Sequence, residues 1–548
     1  MKNFVIFLGG SGSMAAKAFA HFVALGLVDV PVVNVQLCDR DAESDDTYSA
    51  RRTIDLVAGV SAFNAIRPIA GNGVCDEKYL FPTPLVRDEF DLSDSLFMLM
   101  LYRGAGRDAE LPIAKCLVER QDDDLLLGAF FSKKEQDEST LTGFKGDAAR
   151  AAAVYAYMLE HNCGVLKQIE NAIIANRAEH IRVFIVGSVY GGTGASMFLQ
   201  TAEKLRELDT RGDHIHIGGA LMLPSFAFSS KADCDIQSTN FWDQTKRTLG
   251  LFAGRDALMK QYTNDREGLF DRLYLAVLPN NERHNTTCYA CEGGRDQSRV
   301  TDLVDVITAN YITDFFNAPV SDENGYCCTK GTEAQPCTNI YTFNYPQNVD
   351  ATPMELSAIP YGFGHQAVVM LVFSSMVFYM RWQLMNKNMS HWHIDWLIDL
   401  FDGRFFHSLR EYFIFHTVPL ALDVVFRYCC EFVEFIYQFS QTGKPQDPNQ
   451  NDYSSHYTFF DQTAINLIRR IKEKLMNGDP VTGDEMTQLM RCDRYRSSGP
   501  GLRKTARDCL HNSMGRRRLS NNTSDDIDAA VCAYLNNAYV YLQDCEQE

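Results

Sequence analysis

A chain of 548 residues with 46% hydrophobic and 22% charged residues has the composition of a globular protein long enough for two or three domains. Its formal charge of −18 at pH 7 excludes nucleic acid as the main partner, because phosphate backbones select basic surfaces. Sixteen cysteines, some adjacent and many inside apolar runs, fit reduced buried thiols and a cytoplasmic location better than a disulfide framework.

Residues 4–8 form an apolar run too short for a secretory core and read as a buried first strand. A glycine cluster follows, Gly9-Gly10-Ser11-Gly12-Ser13, then a helix over about 14–25 and a second strand over 31–37 that ends in Cys38-Asp39. This β-α-β unit implies parallel strands and a right-handed crossover. Within it, Gly10-x-Gly12-x-x-Ala15 fits the dinucleotide fingerprint, with Asp39 placed to hold a ribose. Residues 42–91 are polar and mixed, and the run at 96–102 fits helix or strand equally. A second glycine turn, with Gly143 and Gly146, opens onto an alanine-rich helix starting at 148 and continuing to about 178. That turn either approaches a phosphate or is an ordinary helix start capped by Asp147.

The stretch 181–201, IRVFIVGSVYGGTGASMFLQT, is the most informative. Residues 181–186 have the β-branched composition of a strand buried on both faces. Residues 188–196 hold three glycines and three Ser/Thr hydroxyls, and 197–208 read as helix. Strand, glycine loop and helix start aim several N–H groups at one anion. Gly191, Gly192 and Gly194 have no Cβ to block a phosphate, while Thr193 and Ser196, flanking Ala195, offer hydroxyls to phosphate oxygens or a metal ion. The alternative is a tight turn of small residues.

Further strands are expected at 215–223 and 271–278, the second ending in Asn280-Asn281-Glu282, and 300–316 reads as a strongly apolar central helix. The alternation over 3–316 predicts an α/β fold, a doubly wound and mostly parallel sheet with the three glycine turns gathered at the strands' carboxyl ends. Residues 317–358 lose periodicity. Cys288, Cys291, Cys327, Cys328 and Cys337 are either a zinc set or scattered thiols. From 359 onward the chain reads as mainly helical. Its most apolar window, 367–380, is 14 residues, short of the roughly 20 that span a bilayer. Asp423, Arg427 and Glu431 recur every four residues and predict a polar stripe on an apolar helix over 420–439. Residues 443–455 read as an exposed loop, and helices are expected over 459–476 and 525–543. Residues 491–518 carry nine Lys/Arg against Asp493 and Asp508, a solvated basic face or a binding patch. Three regions result: 1–316, 317–358 and 359–548. No Ser-His-Asp, H-E-x-x-H or paired-carboxylate pattern stands out.

The 191–196 loop resembles the G-G-G-T-G-[ST]-G phosphate signature of the tubulin and FtsZ superfamily, most closely its divergent bacterial tubulin-like members. It departs at Tyr190, Ala195 and Ser196, which replace the first glycine, the Ser/Thr and the last glycine. The resemblance implies GTP or GDP with Mg²⁺, Gly9 to Ser13 as the first phosphate loop, and Gly143 to Asp147 beneath the γ-phosphate. It implies guanine contacts from Asn281 and Asp302. It also implies self-association, as a homo-oligomer or filament, with GTPase activity completed by a neighbouring subunit's N-x-D-x-x-[DE] loop. Here Gln347-Asn348-Val349-Asp350 supplies Asn348 and Asp350 as the catalytic pair, with Pro353 at the third acidic position. That mismatch leaves a second reading, a non-hydrolysing nucleotide-gated scaffold whose C-terminal helices bind a protein partner. A third, an NAD(P)-dependent Rossmann oxidoreductase, rests on Gly10, Gly12, Ala15 and Asp39 and leaves the 191–196 loop without a role.

Overall fold

The computed structural model describes residues 1–39, 41, 44–62, 80–87, 128–137, 144, 146–160, 166–175, 180–209, 215–224, 227–229, 243–251, 269–276, 287–289, 300–318, 320–321, 325–326, 340–342, 362–385, 420–441, 459–492, 494–496, 505–513 and 527–544. Seven strands make its main sheet: β1 (Lys2–Leu8), β2 (Val33–Cys38), β3 (Leu85–Arg87), β4 (Ile181–Ser188), β5 (Ile215–Met222), β6 (Arg272–Ala276) and β7 (Ile340–Thr342). Their order is β7-β6-β5-β4-β1-β2-β3, and every neighbouring pair is parallel. The succession of strands reverses between β1 and β4, which pair from Lys2↔Ile181 to Phe7↔Val186. In such sheets, a crevice opens at the carboxyl ends where the winding changes direction.

All eight residues of β4 and all eight of β5 are buried, as their mainly apolar sequences require of strands covered on both sides. Alternate side chains feed two separate cores. Val5, Phe7, Val35, Phe184 and Val186 belong to one; Phe4, Ile6, Leu8, Val183 and Ile185 belong to the other. Six helices cover these faces: α1 (Gly9–Ala24), α2 (Asp45–Ala62), α3 (Ala148–Glu160), α4 (Lys167–Ala175), α5 (Gly192–Leu208) and α6 (Leu303–Asn317). The first core takes in α1, α2 and α6; the second takes in α3, α4 and α5.

Helix α6 runs antiparallel to β6. Its Tyr311 hydroxyl donates to the Leu275 carbonyl, while Asp314, nearly a turn later, pairs with Arg272 at 3.1 Å. The head of α6 therefore lies at the rim where the strands end, as do the heads of α1 and α5. The chain enters each of those two helices directly from a strand's carboxyl end.

The later helices are α7 (Phe363–Met385), α8 (Leu420–Gln441), α9 (Gln462–Asn477), α10 (Gly483–Met490), α11 (Ala506–Ser513) and α12 (Ile527–Asp544). They share one core with the outer side of α1 and α2. Phe22 of α1 stacks on Phe363 at 4.8 Å, and His21 lies 4.3 Å from the Phe435 ring. Local chemistry sets their ends: Asp461 caps α9 through the Ala464 N–H, Gly478 closes it at φ +76°, and Thr482 with Glu485 forms a capping box on α10.

Two expectations change in the structure. Helix α7 is 23 residues, well beyond the 14-residue window, because the polar positions that bound the window do not interrupt the helix. Among the described residues it is long and apolar enough to cross a membrane, and 83% of its most apolar window is buried inside the molecule. The expected stripe on α8 divides. Asp423 bonds Arg381 and Arg427 near the surface, whereas Glu431 turns inward to Lys17. Eight residues advance a helix by about 80° past two full turns, which carries Glu431 round to the side facing α1 and α2.

Candidate functional site

Helix α1 starts at Gly9, immediately after the last residue of β1, so the expected 9–13 loop is the helix's first turn. Gly9 has φ +74°, a left-handed conformation that favours glycine. A Cβ there would sit 3.3 Å from Thr193 Cβ and 3.4 Å from the Gly194 nitrogen. A Cβ on Gly12 would meet the Phe7 carbonyl carbon at 3.2 Å and the Val186 oxygen at 3.5 Å. The turn is thus pressed against the ends of β1 and β4.

Helix α5 likewise starts at Gly192, with Gly191 as its N-cap, so residues 192–196 are helical from the outset. Gly194 lies so close to β4 that a Cβ would approach the Ser188 nitrogen to 2.6 Å, and no side chain fits. A Cβ on Gly192 would meet Phe144 Cβ at 2.9 Å and the Asp147 nitrogen at 3.4 Å. Residues 9–12, Phe144, Asp147 and 190–196, far apart in sequence, therefore meet at one rim. Gly10 and Ser11 occupy the first turn of α1 and Ser13 opens its second, and Thr193 and Ala195 are buried in the first turn of α5. Gly146 is exposed at φ +80°, and Gly143 lies outside the described residues.

The four helix heads at this rim differ electrostatically. Asp147 caps α3 by accepting from the Ala149 and Arg150 N–H groups, and its second oxygen takes Arg150 Nε at 2.8 Å. Asp302 caps α6, accepting from the Leu303 N–H in a capping box with Asp305. Neither α1 nor α5 has a side-chain cap, and neither has an acidic residue in its first turn. An uncapped first turn leaves up to four N–H donors and about half a positive charge facing outward. Two such ends in contact form a cradle floored by glycines where a Cβ would intrude, an arrangement able to hold an anion.

The predicted hydroxyls are distributed unevenly. Ser196 Oγ donates into its own helix, to the Gly192 and Thr193 carbonyls at 2.7 and 3.1 Å, rather than outward. Ser13 Oγ is 3.3 Å from Thr47 Oγ1, which donates to Asp39 Oδ2 at 3.0 Å, so Ser13 and Asp39 are joined through Thr47. Ser11 Oγ lies 3.1 Å from the Tyr190 hydroxyl. This last pairing escapes sequence reasoning, since nothing local links positions 179 residues apart. The capping box had a local signal, the Asp302-x-x-Asp305 spacing.

Asn281, Asn348 and Asp350 lie outside the described residues, as do Cys291, Cys327, Cys328 and Cys337; Cys288 falls in the short strand Thr287–Tyr289. Among the described residues, no group of three or more His, Cys, Asp or Glu is arranged to hold a metal ion. Six described cysteines, Cys38, Cys429, Cys430, Cys492, Cys509 and Cys532, form no disulfide. Burial pushes the Cys429 thiol up to about 12.

Comparison with known proteins adds one finding. No curated protein and no solved structure matches the chain. Residues 150–242 match a protein-family model described as tubulin like, a span that holds β4, the glycine turn, α5 and β5. Over those residues, the cradle-forming part of the sheet included, this protein is similar to tubulin-like proteins.

Proposed function

We propose that this protein is a tubulin-like, GTP-binding protein of the cytoplasm that self-associates, its nucleotide domain a doubly wound sheet closed by α6. The observation that carries this reading is the contact, at Gly9 and Thr193, between two uncapped helix heads at the point where the sheet reverses direction. A polyphosphate matches that geometry, because each phosphate gains backbone N–H donors and the positive ends of two helix dipoles. Mg²⁺ would enter with the nucleotide, held mainly by phosphate oxygens and water. The chemistry of phosphoryl transfer is mostly positioning and charge stabilisation. In this reading the amides of α1 and α5 hold the phosphates, and Asn348 and Asp350 of a second copy orient and polarise the attacking water.

Two measurements test it. Nucleotide released on denaturing purified protein should be GTP or GDP. Turnover per molecule should rise with protein concentration, since the site is shared between copies. Specific activity that stays constant on dilution contradicts the shared site.

A second reading keeps the nucleotide and discards hydrolysis, leaving a scaffold gated by GTP that binds a protein partner through the C-terminal helices. Pro353 at the third acidic position favours it. Bound GTP with no turnover at any protein concentration would select this reading over the first.

A further inference from the structure

We propose that Tyr190 is a positioning residue for the phosphate cradle, acting by orienting the Ser11 hydroxyl toward the anion. The inference rests on the nucleotide reading above and deepens it. Tyr190 stands where the tubulin and FtsZ signature has its first glycine. Among the described residues, Phe81 is the non-glycine residue with positive φ, so the backbone at 190 does not require glycine. The position is instead used for a side chain. The Tyr190 side chain is buried in the core that contains α5, and its hydroxyl reaches across to Ser11 Oγ at 3.1 Å. One bond thus ties the residue preceding the glycine turn of α5 to the first turn of α1, the two elements whose heads form the cradle.

The direction of that bond follows from acidity. Either hydroxyl could donate by distance alone; a phenol, near pKa 10, is the stronger donor, so in the arrangement proposed Tyr190 donates and Ser11 Oγ accepts. Ser11 then keeps its own hydrogen, and as the third residue of α1 it stands beside the helix's uncapped N–H groups. Accepting from Tyr190 also polarises the Ser11 O–H and strengthens it as a donor. Ser196, the hydroxyl expected to serve the anion from α5, is committed to its own helix carbonyls. Ser11 supplies the hydroxyl that Ser196 does not.

Calorimetric titration of the full-length protein with three probes tests this: GTP, inorganic tripolyphosphate and guanosine. Tyr190→Phe keeps the ring and deletes the one oxygen. It should weaken GTP and tripolyphosphate by roughly 3–10-fold, the range of a single net hydrogen bond, and leave guanosine affinity unchanged. Ser11→Ala should lose at least as much. The double variant should be no weaker than Ser11→Ala alone, because Tyr190 acts only through Ser11. Tyr190→Phe binding tripolyphosphate as tightly as the parent overturns the proposal, and so does an additive double variant. A parent protein that binds neither GTP nor tripolyphosphate overturns the nucleotide reading together with it.

Discussion

His21 shows what burial does to a single ionisable side chain. It lies within α1, fully enclosed, with its ring against Phe435, Phe432 and Tyr428, and Nδ1 3.5 Å from the Tyr428 hydroxyl. Nε2 has no hydrogen-bond partner. Burial, reinforced by the Lys17 charge one turn earlier, holds the imidazole well below its ordinary pKa and keeps it neutral. The unfolded chain, with a histidine pKa near 6.5, takes up a proton below that pH while the folded protein does not. Stability should therefore fall as pH drops below about 6.5, by up to about 1.4 kcal/mol per pH unit from this group. His216, also lowered by burial, adds in the same direction. In urea unfolding at pH 7.5 and 5.5, His21→Leu should lose less stability on acidification than the parent. Equal losses would show that His21 is not a source of the acid sensitivity.

At the scale of elements, α1 carries chemistry at its head and at its middle along one rigid rod. Its first turn forms half of the cradle, and two turns later Lys17 pairs with Glu431 of α8 at 3.3 Å in a nearly closed environment. Thr53 of α2 donates to the same carboxylate at 3.1 Å, and Lys17 also donates to Ser49. A buried pair of this kind is expensive to half-remove, since one charge is left without compensation. Glu431→Ala should cost about 3–5 kcal/mol in urea unfolding. Lys17→Met combined with Glu431→Leu should cost less than half of that. A Glu431→Ala penalty under about 1 kcal/mol would show that water or Ser49 satisfies Lys17 without its partner.

At the scale of the whole molecule, the helices from α7 onward are not an appendage. They continue the core that begins on one face of the sheet, so α1 is buried on all sides between sheet and C-terminal helices. A chain ended at residue 358 uncovers Phe22, His21 and Lys17 together, and each large apolar side chain returned to water costs roughly 1.5–3 kcal/mol. Such a fragment should aggregate or bind a hydrophobic dye strongly. A monodisperse fragment with the parent's GTP affinity and a sharp thermal transition would mean that the sheet and its six helices stand alone.

The sequence by itself determined the parallel sheet and the existence of its glycine turns. Runs rich in β-branched and apolar residues such as 181–186 suit a strand covered on both faces, and glycines right after them suit a close helix start; both are properties of a few neighbouring residues. It also determined α8, whose apolar periodicity is local. Only the tertiary structure decided which helix heads stay uncapped and which take a carboxylate cap. Asp147 and Asp302 look as inviting as Gly9 or Gly192 in one dimension, and their roles diverge once carboxylate and N–H geometry is set. The Ser11–Tyr190 and Lys17–Glu431 pairings, and the inward turn of Glu431, likewise depend on residues brought together from distant parts of the chain. No local pattern encodes them, because the free energy that selects them comes from packing helices onto the sheet and onto one another.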